Sequence, residues 1–165
     1  MVALLALFLQ AVAIKAPLGD GDDARRALFL YSYLLLMVFV AVNLGRPGIA
    51  LIGIGLLLNF MGILANEGWM AITPETLLRS GPLPHDAVLG QWVPGTKDVL
   101  LNRSDVHLWP LTDRLFWEPI SGVIRAFSIG DVVIVAGVLV TLGDLFLPRL
   151  REEPSRPANG APAQP

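Results

Sequence analysis

The chain has 165 residues, of which 54% are hydrophobic and 16% charged, against about a quarter charged in a soluble domain, so much of it is written for a solvent other than water. A net charge of −2 and the lack of a basic stripe interleaved with aromatics argue against a nucleic-acid partner. The absence of cysteine excludes disulfides, thiolate nucleophiles and cysteine-bound zinc or iron–sulfur clusters.

The charges are segregated. Residues 1–14, 27–44, 49–65 and 129–142 hold no Asp, Glu, Lys, Arg or His apart from Asp131. A helix needs roughly 20 apolar residues to cross a hydrocarbon core of about 30 Å. Residues 24–44, 47–65 and 129–147 meet that length, and residues 1–16 are marginal. The first segment also has the length of a signal peptide, with Ala11-Val12-Ala13 resembling a cleavage site, but no Lys or Arg precedes it, so it is read as a span. The expected fold class is all-α integral membrane: about four transmembrane helices, the first marginal, with a 62-residue partly irregular interfacial loop, residues 66–127, before the last helix. Residues 1–151 form one membrane domain. The tail, residues 152–165, is Pro, Ala, Ser and polar residues with nothing to bury, and is expected to be disordered.

In chain order, the first link packs Pro17, Gly19, Asp20, Gly21, Asp22 and Asp23 into a turn, where Asp22 or Asp23 is placed to cap the second helix. Only Gly45, Arg46 and Pro47 separate the second and third spans, which forces an antiparallel hairpin. Gly48, Gly53, Gly55 and Gly62 give the third span small surfaces where another helix can approach closely.

The loop holds five basic residues, both histidines and all four tryptophans. Thr73-Pro74-Glu75 starts a short helix over Pro74 to Ser80, stopped by Gly81, Pro82 and Pro84. Val93-Pro94-Gly95-Thr96 is a turn and Val99 to Leu101 a brief extended piece. Trp109, Phe116 and Trp117 are residue types that settle at the membrane–water boundary, anchoring the loop there. Ser128-Ile129-Gly130-Asp131 has the spacing of a capping box at the start of the last helix.

Asn59, Gly62 and Asn66 share one helical face, which in lipid points at protein, and Asn59 is expected to hydrogen-bond another helix. Asp131 is a carboxylate at membrane depth, for which capping beside Ser128 is sufficient cause. Asn66, Glu67, Lys97, Asp98, His107 and Asp113 are candidates to converge at one membrane face, with Glu67 or His107 as a base and Lys97 or Arg114 holding an anionic headgroup. The candidate polar site is therefore Asn59, Asn66, Glu67, Lys97, Asp98, His107, Asp113 and Asp131. There is no Gly-x-Ser-x-Gly, His-Glu-x-x-His or phosphate-binding Gly-rich loop. Two histidines without cysteine give no dedicated metal site, and no cofactor motif is present.

Three pieces carry a family pattern: Leu58-Asn59 running to Ala65-Asn66-Glu67-Gly68-Trp69-Met70, then Lys97-Asp98, then Phe127-Ser128-Ile129-Gly130-Asp131. In this order they resemble the uncharacterised bacterial membrane proteins of domain-of-unknown-function family 5317. The likeness covers about residues 4–147. Glu67 stands where that family usually has Gly, Ala71 where it often has Pro, and Thr112 where Gly usually precedes Asp113. Members tend to carry an extra apolar segment and a basic stretch ahead of the first span, so the resemblance implies a truncated start. It implies residence in a bacterial cell membrane and no reaction. If that basic stretch is cytoplasmic, the carboxyl tail is inside and the long loop outside.

The residues favour a non-catalytic accessory or scaffold protein that meets the lipid bilayer and packs on a protein partner, or a second copy, through its glycine-bearing helices. The alternatives are a membrane-bound enzyme or binder acting on a lipid-linked or anionic substrate at the headgroup level, and a subunit of a small oligomeric transporter.

Overall fold

The computed structural model describes residues 1–16, 22–81, 87–118 and 124–146. The expected disordered tail, the expected turn over Pro17, Gly19, Asp20 and Gly21, and the helix-stop residues Pro82 and Pro84 lie outside these residues. Helices α1 (Val2–Lys15), α2 (Asp22–Ala41), α3 (Pro47–Ala65) and α5 (Ile129–Phe146) make the apolar part, and α4 (Pro74–Ser80) belongs to the loop. Three of them, α2, α3 and α5, are long and apolar enough to cross a membrane, while α1 is a shorter apolar helix. In lipid each backbone N–H and C=O must find its partner within its own segment, which a continuous helix provides.

The helix α2 stops at Ala41, three residues before the expected 44, because Asn43 folds back on it. The Asn43 amide donates to Phe39 O at 2.8 Å and its backbone N–H to Val40 O at 2.9 Å. The hairpin link is therefore the turn of residues 42–46, longer than the expected three, and Pro47 opens α3 as its first helical residue.

Helices α3 and α5 pack antiparallel along a seam of small residues seven apart. A Cβ added to Gly55 would lie 2.5 Å from Gly130 O, and one on Gly137 would lie 2.6 Å from Ile52 N and 2.7 Å from Gly48 O. The backbones themselves are in contact, which is how membrane helices gain dispersion energy without a hydrophobic driving force. Gly53 instead faces Val40 of α2, and Gly62 faces Leu111 of the loop.

Helix α1 lies on α2 through buried Ala6 and Ala13. Its last carbonyls are held by the buried Arg25, whose guanidinium donates to Ala13 O at 2.6 Å and Ala16 O at 3.2 Å and lies 4.2 Å from the Trp92 ring centre. A cation suits the negative end of a helix dipole. Aromatic rings then tie the helices to the loop: Phe60 stacks on Tyr33, Tyr33 meets Phe29 edge-on, and Phe29 stacks on Trp69, beside Trp92.

The loop is more ordered than an interfacial coil. Strand β1 (Met70–Ile72) pairs in parallel with β2 (Asp98–Leu100), Met70 opposite Asp98. Parallel strands require a long crossover, and here it carries α4. Thr73 caps α4, its Oγ1 accepting from Thr76 N–H at 3.4 Å. Strands β3 (Leu115–Trp117) and β4 (Arg125–Phe127) form an antiparallel pair leading into α5. Met70, Ala71 and Val93 are fully buried, so the loop has a core of its own; of the three residues expected at the boundary, Trp117 is 65% exposed and Trp109 and Phe116 are half-buried.

Candidate functional site

The end of α3, the start of α5 and the start of β2 meet beneath the loop. The capping box forms: Asp131 N–H donates to Ser128 Oγ and Ser128 N–H to Asp131 Oδ2, both at 3.0 Å. Asn59 of α3 closes this cap from the side. Its amide donates to Asp131 Oδ1 at 2.7 Å, and its Oδ1 accepts from the Ser128 hydroxyl at 2.6 Å. One asparagine thus satisfies both side chains of the cap across the helix interface. Tyr33 of α2 stands beside Asn59 on the same cluster.

Lys97, set at the mouth of β2 by the parallel register, reaches into this cap. Its Nζ lies 3.0 Å from Asp113 Oδ2 and 3.5 Å from Asp131 Oδ2. Burial would push the Lys97 ammonium down, but the carboxylates of Asp113 and Asp131 outweigh it and hold the group well above its usual range. Asp113 is pushed up by burial, with Lys97 opposing. Asp98, 8% exposed, turns toward the same charges, and its Oδ1 has no partner among the described residues. Burial first and the charge of Asp113 second push it up to about 7, with Lys97 opposing. With Asp113 and Asp131 paired to Lys97, a further negative charge on the buried Asp98 is disfavoured, which is the physical cause of its raised value.

The eight candidates therefore do not form one site. Asn59, Lys97, Asp98, Asp113 and Asp131 cluster; Asn66, Glu67 and His107 do not join them. Asn66, 1% exposed, pairs with the backbone of residue 107, donating to His107 O at 2.9 Å and accepting from His107 N–H at 2.9 Å, and so pins the loop to the end of α3. Glu67 is exposed in the left-handed region at φ 59°, and its carbonyl accepts from Arg26. Asn66, Glu67 and the exposed His107 line a separate cavity of about 420 Å³ with Ser104 and Asp105. The reason is steric: Asn66 lies beyond the last turn of α3 and Asn59 two turns inside it, so their shared face meets different parts of the loop. Among the described residues no three His, Asp or Glu are placed to hold a metal ion.

Asp131 also lines an apolar groove of about 450 Å³ between β3, β4 and α5, with Trp117, Arg125, Phe127, Val132 and Val135. Sequence reasoning missed Tyr33 and Arg25; a hydroxyl and a guanidinium inside an apolar helix were the available signals. Asp23, a proposed helix cap, instead pairs with Arg26.

The comparisons agree with the motif reading. The model of a Family of unknown function (DUF5317) matches residues 1–142. No curated protein and no solved structure matches the chain. Since the matched residues include both α3 with Asn59 and the capping box of α5, the chain belongs to the family of unknown function DUF5317.

Proposed function

We propose that this protein is a non-catalytic membrane component, an accessory or scaffold protein whose loop is held on its helices by the Asn59–Ser128–Asp131–Lys97–Asp113 network. The observation that carries this reading is the closure of that network: Asn59, Ser128 and Asp131 partner one another, and Lys97 lies between two carboxylates. Within this network no group is left as a free nucleophile or base, which acid–base or covalent catalysis would require; Asp98, beside it with an unpartnered oxygen among the described residues, is the one carboxyl of the cluster outside the network. In this reading α1 is the fourth crossing segment, the loop lies outside the cell and the carboxyl tail inside. The partner is a protein or a second copy seated on the lipid-facing helices. Cross-linking in native membranes, followed by purification in mild detergent, tests it: a discrete adduct is expected, and a strictly monomeric, partnerless protein overturns it. Cysteines placed in the loop and after α5 should label from opposite sides.

A second reading, a binder of a lipid-linked molecule at the headgroup level, is favoured by Asp131 facing the apolar groove beside α5. A photoactivatable lipid should then label Val132 or Val135, and label should fall when Trp117 is replaced by Ala.

A further inference from the structure

A second polar site lies on the other side of the β3–β4 pair, away from the Lys97 cluster. Arg79 of α4, Arg103, and Arg114 just before β3 line one cavity of about 360 Å³ with Glu75, Thr76, Trp109 and Phe116. Three arginines and one glutamate thus line the same cavity. Like charges brought together in a fold repel, and such clusters are normally neutralised by carboxylates or by a bound anion. Among the described residues none of the three arginines forms an ion pair.

Their placement is built rather than incidental. Arg79 lies 4.3 Å from the Phe116 ring centre and Arg103 3.4 Å from that of Trp109. Stacking fixes a guanidinium plane while leaving its N–H edge free to donate. Arg114 is fixed through its backbone, whose N–H donates to Phe127 O at 3.2 Å, and its Nε is buried without a partner among the described residues. A buried donor without an acceptor is costly, the more so when it is charged. Leu108, next to Trp109, is held in the left-handed region at φ 48°. Helix α4, which carries Arg79, packs on β4, the strand that runs directly into the capping box of α5.

We infer that Arg79, Arg103 and Arg114 form a binding site for a phosphoryl anion at the membrane surface. Planar forks match phosphate oxygens in pairs, and the aromatic walls suit an amphipathic ligand lying half in the interface. The phosphoryl group can belong to an anionic lipid head or to a free phosphate. The site is independent of the Lys97 network and goes beyond the reading given above.

The test uses the full chain in phosphatidylcholine nanodiscs. Inorganic phosphate is titrated by calorimetry, and in parallel phosphatidylglycerol is added and its retention measured by native mass spectrometry. Arg103→Gln, an exposed position, is expected to weaken binding roughly tenfold, and Arg114→Gln at least as much. Arg46→Gln, the same charge change at the exposed hairpin before α3, outside the cavity, should leave binding unaltered. Retention of phosphatidylglycerol alone assigns a lipid headgroup, binding of phosphate alone assigns a free ligand, and binding of both assigns the phosphoryl group itself. Binding of neither, or binding that Arg103→Gln leaves unchanged, overturns the inference. If Arg114→Gln does not fold, the Arg103→Gln result decides.

Discussion

Asn59 and Asp131 join α3 to α5 through a hydrogen bond of 2.7 Å, and the same asparagine accepts from Ser128. Interhelical hydrogen bonds in membranes contribute about 0.6 kcal/mol on average and up to about 2. Asn59→Ala removes two at once and leaves a carboxylate short of a donor, so a loss of roughly 2 kcal/mol is expected. Asn59→Asp should be worse near neutral pH, where two carboxylates would face each other, and should recover in acid. Reversible unfolding in mixed micelles at two pH values measures both.

The glycine seam predicts a graded series. Gly55→Val and Gly137→Leu force the α3 and α5 backbones apart and should destabilise by more than about 2 kcal/mol, because what they meet is main chain. Gly53→Ala meets only the end of the Val40 side chain, which can turn, and should be milder. Gly45→Ala, with nothing within 4 Å, should be near neutral. Thermal midpoints in one detergent rank the four.

Glu67 has φ 59°, a conformation that disfavours L side chains by roughly 1 kcal/mol or more. Glu67→Gly removes that strain but gains freedom in the unfolded chain, so stabilisation of up to about 1 kcal/mol is expected. Glu67→Ala keeps the strain and should not stabilise. The family resemblance places Gly here, and the dihedral explains why.

Asp98 gives the stability a pH dependence. Its ordinary pKa of 3.8 is raised to about 7 on folding, so the folded state takes up a proton between those values. Stability should fall as pH rises through that window and level off above it. Lys97, Asp113 and Asp131 are the charges it faces. Asp113, also raised, adds the same sign, whereas the raised Lys97 contributes stability that is lost only at alkaline pH. Asp98→Asn should flatten the slope and raise the thermal midpoint at about pH 8; an unchanged slope would show that this carboxyl is not the titrating group.

Much of the architecture was legible because one environment wrote it. The apolar runs, Pro47 at a helix start, Thr73 before α4 and Ser128 before Asp131 are local signals, and each sits where expected. The family motifs were legible for the same reason. The pairing of Met70 with Asp98 was not, since a three-residue parallel strand leaves no periodicity and its partner lies beyond a crossover. That pairing aims Lys97 at Asp131, so the division of the eight candidates into a cluster and a separate cavity could not be read from spacing. Arg79, Arg103 and Arg114, scattered over the loop, carried no pattern in one dimension.

Among the described residues Lys97 pairs with carboxylates that follow it in the chain, Asp113 and Asp131. In chain order α2, α3 and this ammonium come before Asp113, Ser128 and Asp131, and synthesis runs in the same direction. The loop cannot lock until α5 has arrived and capped itself with Ser128. A chain that ends before α5 therefore has Asp113 for Lys97 but lacks Asp131 and the cap that Asn59 closes, so the last helix completes the charge balance of a loop made before it.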